Sequence, residues 1–84
     1  MSQWVCYILE CSDKTYYTGI TNDLEKRIAT HNKGLGAKYT KGRLPVKLLK
    51  TYQVASKSEA LKLEHRIKKL PREKKLNAKV HQDQ

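Results

Sequence analysis

The run Trp4-Val5-Cys6-Tyr7-Ile8-Leu9 is apolar without interruption and rich in β-forming residues, which marks it as a central strand covered on both faces. Glu10 to Lys14 follows with Ser12-Asp13 turn chemistry, and Tyr16 to Ile20 resumes a β-rich run, so the two runs pair as a hairpin. With its turn centred on Ser12, the hairpin sets Tyr7 opposite Tyr17, both side chains on one face. A slip of one residue would part them to opposite faces. Gly19, near the end of the second strand, signals a bulge or a close backbone approach.

Beyond the hairpin, Asn22-Asp23-Leu24-Glu25 has the form of a helix start, with Asn22 as cap and two acids at the positive end of the dipole. Leu24 and Ile28 share one stripe and Gly34 ends this helix. Residues 34–45 read as a loop. Val46, Leu48, Tyr52 and Val54 alternate at a period of two, broken only by Lys50, and predict a third strand. Ser56-Lys57-Ser58-Glu59 opens a second helix running to about Leu70, and Pro71 starts a short third one. The expectation is an α+β fold, a small three-stranded antiparallel sheet flanked by helices in the order β-β-α-β-α-α. A single domain is expected over 1–80, with a frayed tail at 81–84.

The 84 residues leave no room for a second domain, and a chain this short buries only about 60% of its unfolded surface. No apolar run is long enough for a membrane span, and Trp4 to Leu9 is too short for a signal peptide. Cytoplasmic residence, with no membrane partner, is therefore expected. In a reducing compartment the two cysteines, Cys6 and Cys11, stay free and serve in packing. The formal charge of +10 is unevenly spread: residues 1–25 sum to −3, whereas residues 26–50 hold eight basic groups and no acid. That asymmetry is the footprint of a polyanion binder, most simply nucleic acid.

Four kinds of side chain carry candidate chemistry. Glu64 lies inside the apolar arc that Ala60, Leu63, Ile67 and Leu70 define on the second helix. A carboxylate aimed at a core must be paired, protonated or metal-bound, so Glu64 is either a metal ligand or the partner of Lys68 or Arg27. Arg27 and His31 stack four apart on the first helix, leaning toward the sheet. Arginine grips phosphate bidentately, and histidine orients a phosphate or moves a proton near neutral pH. Tyr7 and Tyr17 add phenols to that face. A phenol acting as base near pH 8 needs a pKa lowered by roughly two units, which Arg27, a divalent cation and the basic field are expected to supply.

Tyr7, the triplet Tyr17-Thr18-Gly19, Arg27, His31 and Glu64 together resemble the signature of the GIY-YIG nuclease superfamily, over nearly the whole chain and most closely its small stand-alone bacterial members. The resemblance implies a three-stranded antiparallel sheet with helices and one divalent metal, Mg²⁺ or Mn²⁺, held by Glu64. It implies Tyr7 and Tyr17 as base or nucleophile-positioning groups and Arg27 on the scissile phosphate. The Arg-x-x-x-His spacing is similar to the Slx-type branch, which retains His31 in the set. The first motif reads Val5-Cys6-Tyr7, without the glycine and isoleucine that name it, and Ile20 stands where some repair-type members carry lysine. In the segment 34–43, Lys38, Tyr39, Lys41 and Arg43 suit backbone phosphates and a stacked base.

Two functions compete. One is a Mg²⁺- or Mn²⁺-dependent endonuclease hydrolysing phosphodiester bonds, acting on DNA more readily than RNA, with structure-specific cleavage among its expected modes. The other is a noncatalytic DNA- or RNA-binding module that keeps the fold. A protein partner for targeting is compatible with either.

Overall fold

The computed structural model describes residues 3–78; the expected tail at 81–84 lies outside the described residues. The sheet is antiparallel, with strands β1 (Trp4–Glu10), β2 (Tyr16–Thr21) and β3 (Lys47–Val54) in the order β2-β1-β3. The uninterrupted apolar run is thus the middle strand, and Cys6, Tyr7, Ile8 and Leu9 are all buried because both faces are covered. Helices α1 (Leu24–Asn32), α2 (Lys38–Lys41), α3 (Lys57–Lys68) and α4 (Arg72–Lys75) complete the described chain. The short α2 lies where the sequence predicted only loop. At four residues it is too brief to imprint a periodicity.

Alternation along β1 divides the core in two. Cys6 and Ile8 point to one face and pack with Tyr52, Leu63 and Ile67 under α3. Tyr7 and Leu9 point to the other, where they pack with Cys11 and Val46 beside Leu24 and Ile28 of α1. The pleat of one central strand therefore decides which helix each side chain meets.

The hairpin register differs from expectation by two residues. Tyr7 lies opposite Gly19, and Tyr17 opposite Leu9. The cause is the turn: Lys14 N–H donates to Cys11 O at 3.0 Å, Cys11 N–H to Thr15 O at 2.8 Å, and Lys14 sits at φ 72. This is a three-residue loop with its last residue left-handed, so the hairpin centres on Asp13 rather than Ser12. Asp13 accepts bonds from the Thr15 backbone at 3.1 Å and from its hydroxyl at 2.5 Å, locking the turn. Because the displacement is an even number of residues, Tyr7 and Tyr17 still share a face.

Two further expectations shift. Asp23, not Asn22, caps α1, accepting from the Lys26 N–H at 3.3 Å. In β3 the period-two stripe breaks at a bulge: Ile8 pairs with Lys50 but Leu9 with Leu48, so Leu49 is the extra residue and Leu48 leaves the face of Tyr52. Elsewhere the expected signals act as read. Ser56 caps α3 through Glu59 N–H, Pro71 caps α4, and Gly34 at φ 79 ends α1 in the left-handed conformation that glycine adopts at little cost.

Residues Lys75 to Ala78 are held by the Tyr52 phenol together with Lys75 Nζ on Ile67 O and the packing of Leu76. Tyr52 Oη donates to Lys75 O at 2.8 Å and accepts from Ala78 N–H at 3.1 Å. Tyr52→Phe is expected to cost about 1–2 kcal/mol, two modest hydrogen bonds, and to speed amide exchange at Ala78 while leaving α3 protected. Unchanged exchange at Ala78 would show that the segment is held by other contacts.

Candidate nucleic-acid interface

Four of the predicted site residues converge on the α1 face of the sheet. The Tyr7 hydroxyl meets His31 Nε2 at 2.9 Å and accepts from Arg27 Nε–H at 3.4 Å. Tyr17 packs over this pair, its ring centroid 5.3 Å from that of His31 and 6.4 Å from that of Tyr7. The sheet brings the tyrosines and α1 brings Arg27 and His31, one helical turn apart, down onto them.

The close approach depends on Gly19. A Cβ there would stand 2.5 Å from Tyr7 Oη and 2.7 Å from Cζ, so the phenol occupies the space that any side chain would need. The glycine of the Tyr-Thr-Gly triplet is thus part of the site's geometry through the side chain it lacks.

Burial divides these groups into a hidden centre and a reachable rim. Tyr7 and His31 are 1% and 0% exposed. Tyr17 and Arg27 are half-buried, while Lys38, Tyr39 and Lys41 reach the surface. Arg27 opens onto a cleft of about 290 Å³ shared with Lys26, Thr30, Asn22 and the acidic Asp23, so two cations and one carboxylate border it. Arg43 is more committed than the sequence suggested. Its guanidinium bonds Asp13 at 3.0 Å and Tyr39 O at 2.7 Å, and lies 4.1 Å over the Tyr39 ring. Tyr39 also stacks on Tyr17 at 6.0 Å. Together these contacts fasten α2 to the hairpin turn.

Among the protein's own groups, desolvation dominates the electrostatics of the centre. Burial pushes the Tyr7 phenol above its ordinary value of 10.0, outweighing the Arg27 hydrogen bond that opposes it. The protein's own groups therefore hold Tyr7 protonated, and Arg27 alone does not supply the lowering a base would need. Burial together with the Arg27 charge pushes the His31 imidazole below 6.5, keeping it neutral at physiological pH.

Glu64 rides on α3, whose Leu63 and Ile67 pack with Cys6 and Ile8, and its carboxylate pairs with Lys68 at 3.4 Å, the lysine partner weighed from the sequence; Lys68 in turn lines a cleft with Tyr17 and Tyr39. Its negative charge helps raise both Cys6 and Tyr7, which point to opposite faces of β1. Among the described residues no group of three or more His, Cys, Asp or Glu side chains could together enclose a cation. The donor set still fits one type of ion. A lone carboxylate, 20% exposed and paired with a half-exposed lysine, suits a hard divalent cation that keeps most of its waters and draws further oxygens from phosphate.

Sequence reasoning passed over two residues here. Thr40 is fully buried with its hydroxyl 2.9 Å from His31 Nδ1, and Gly36 lies so close that a Cβ would collide with the His31 ring. The glycines Gly34 and Gly36 directly after α1 were the available signal, since they mark where a backbone can press against a ring.

A histidine held neutral binds fewer protons than the unfolded chain between its lowered folded pKa and 6.5. Its stabilising contribution is complete above pH 6.5 and is lost as pH falls through the folded value. Denaturation midpoints are expected to drop on acidification below pH 6.5, with the NMR titration midpoint of His31 below 6.5. A midpoint at or above that value would contradict the buried neutral ring.

Comparison with known proteins agrees with this fold. The profile of the GIY-YIG catalytic domain matches residues 3–77. The chain is 58% identical over 78 residues to the UPF0213 protein YsiG of Lactococcus lactis, covering 92% of this chain and 75% of that one. A UPF0213 protein of Halobacterium salinarum is also 58% identical, covering 82% and 90%. Among solved structures, the protein EF2693 of E. faecalis superposes with a TM-score of 0.60 at 39% identity, covering 92% of this chain and 81% of that one. The UPF0213 protein BH0048 of Bacillus halodurans gives 0.53 at 48% identity, with coverage of 89% and 79%. A fold, a residue constellation and a profile that coincide over almost the same span lead to one conclusion: the chain belongs to the GIY-YIG family.

Proposed function

We propose that this chain binds nucleic acid, DNA in preference to RNA, by laying the phosphodiester backbone along the rim of the α1-side site. The observation that carries the reading is the arrangement of charge. Residues 26–50 hold eight basic groups and no acid, and Lys26, Arg27, Lys38 and Lys41 border a neutral, buried aromatic and imidazole centre. A polyanion would meet cations at the edge and encounter no buried charge within. Arg27 would contact a phosphate from its cleft, and Lys38 and Lys41 would neutralise neighbouring ones. Binding of this kind is backbone-directed and falls steeply with salt.

A second reading is metal-dependent phosphodiester hydrolysis at the same site, and the hydrogen-bonded series Arg27, Tyr7, His31 favours it. In it Arg27 steadies the charge that builds on the scissile phosphate. Tyr17, the less buried phenol, faces the attacking water, while Tyr7 and His31 hold Arg27 and Tyr17 in place. Glu64 would hold Mg²⁺ or Mn²⁺, which when bound supplies a Lewis acid for a phosphate oxygen. A protein partner that directs the domain to its target is compatible with both readings.

The two separate cleanly. Wild type is expected to bind duplex and branched DNA, with Lys38→Ala and Lys41→Ala each lowering the log–log salt slope by roughly 0.9. Cleavage in Mg²⁺ or Mn²⁺ that Glu64→Ala abolishes, with binding intact, would establish the hydrolase. Tight binding with no cleavage of any structure would leave the binding module, and absence of binding at low salt would end both.

A further inference from the structure

The segment between α1 and β3 closes over His31 and leaves its ring a restricted set of partners. Nε2 faces the Tyr7 hydroxyl at 2.9 Å; Nδ1 faces the Thr40 hydroxyl at 2.9 Å and, at a longer 3.4 Å, the Ala37 N–H. The Thr40 hydroxyl also lies 3.0 Å from Ala37 O. Gly36 presses on the ring edge, which prevents the imidazole from turning away. Among the described residues, Tyr7 Oη has His31 and Arg27 as its hydrogen-bond partners.

These distances admit two proton arrangements, and they differ in cost. In the first, His31 carries its proton on Nδ1 and donates it to Thr40, whose own proton goes to Ala37 O. Tyr7 then donates to the bare Nε2 and accepts from Arg27. Every polar proton shared among Tyr7, His31 and Thr40 has an acceptor. In the second, the proton sits on Nε2 and points at Tyr7, which already accepts from Arg27. The phenolic proton, on a residue 1% exposed, is then left without a partner. A buried unsatisfied donor costs about 1–3 kcal/mol. Against that loss the second arrangement gives the bare Nδ1 the Ala37 N–H at 3.4 Å, a bond the first forgoes, and lets Thr40 donate to Nδ1 at 2.9 Å only by giving up Ala37 O.

We propose that Thr40 is a positioning residue: its hydroxyl accepts the Nδ1 proton of His31, fixing the tautomer whose bare Nε2 receives the hydrogen bond from Tyr7. The Tyr7 oxygen thereby keeps its lone pairs for Arg27. The orientation of the guanidinium that would meet a phosphate then traces back through Tyr7 and His31 to a threonine on α2. Lys38 and Lys41 belong to the same four-residue helix, so the element that would contact the backbone also sets the proton arrangement beneath it. The use of this arrangement rests on the proposed binding at the rim. Its test reads the ring nitrogens alone, so its failure and the failure of that binding are distinguishable.

Long-range proton–nitrogen correlation spectra of the full chain above pH 7 give the tautomer directly. Wild type and Thr40→Ser are expected to show His31 protonated on Nδ1 and bare on Nε2. Thr40→Val, which keeps the shape and removes the acceptor, is expected to move the proton to Nε2. A wild-type ring protonated on Nε2 would overturn the proposal, and so would a folded Thr40→Val that retains the Nδ1 proton. Should Thr40→Val fail to fold, the wild-type and Thr40→Ser spectra decide.

Discussion

An imidazole with no exposed surface at the centre of a small domain is the constraint around which the α1 side is organised. Burial of a polar ring is tolerable only when both nitrogens are satisfied. Tyr7 must therefore reach across the sheet from one side and Thr40 must reach in from α2 on the other. Gly19 has no side chain because the phenol occupies that volume, and Gly36 has none because the ring does. Asn32, one residue after His31, ties the end of α1 to the residue before β3 by exchanging two bonds with the backbone of Val46, at 2.8 and 3.2 Å. The helix that delivers the ring is thereby anchored at the position that fixes its depth.

The electrostatics follow from the same burial. In a chain with a formal charge of +10, the interior groups stay neutral: the phenol of Tyr7 and the thiols rise, and the imidazole of His31 falls. Desolvation is the largest cause in each case and overrides the basic field. Charge lies at the rim and on α3, where Glu64 is paired with Lys68. The site thus combines a neutral floor with a cationic border.

Much of this was legible in the sequence. The unbroken apolar strand, the second β-rich run after it, and the Ser56 cap each rest on local signals that tertiary packing reinforced. Tyr7, Tyr17, Arg27 and His31 were recoverable because strand alternation and helical spacing both aim them at one face. The failures have equally specific causes. The hairpin centre moved because Lys14 adopts a left-handed conformation that no glycine announces. The bulge at Leu49 carries no composition signal, and it turned Leu48 off the expected face. Thr40 stayed hidden because its role comes from a contact nine residues back on a different element. The protein's own groups raise the Tyr7 phenol rather than lower it because charge can be counted along a chain, whereas desolvation depends on packing that is visible only in three dimensions.

The two thiols carry a practical consequence. Cys6 is fully buried with its thiol pushed up to about 12, and Cys11 is buried and also raised. Neither supplies an accessible thiolate near neutral pH, the form that maleimides and alkylating agents require. The natural chain is therefore chemically silent toward such reagents, and a cysteine introduced at an exposed position such as Lys41 would be the sole reactive handle for attaching a spin label or a fluorophore beside the proposed nucleic-acid path.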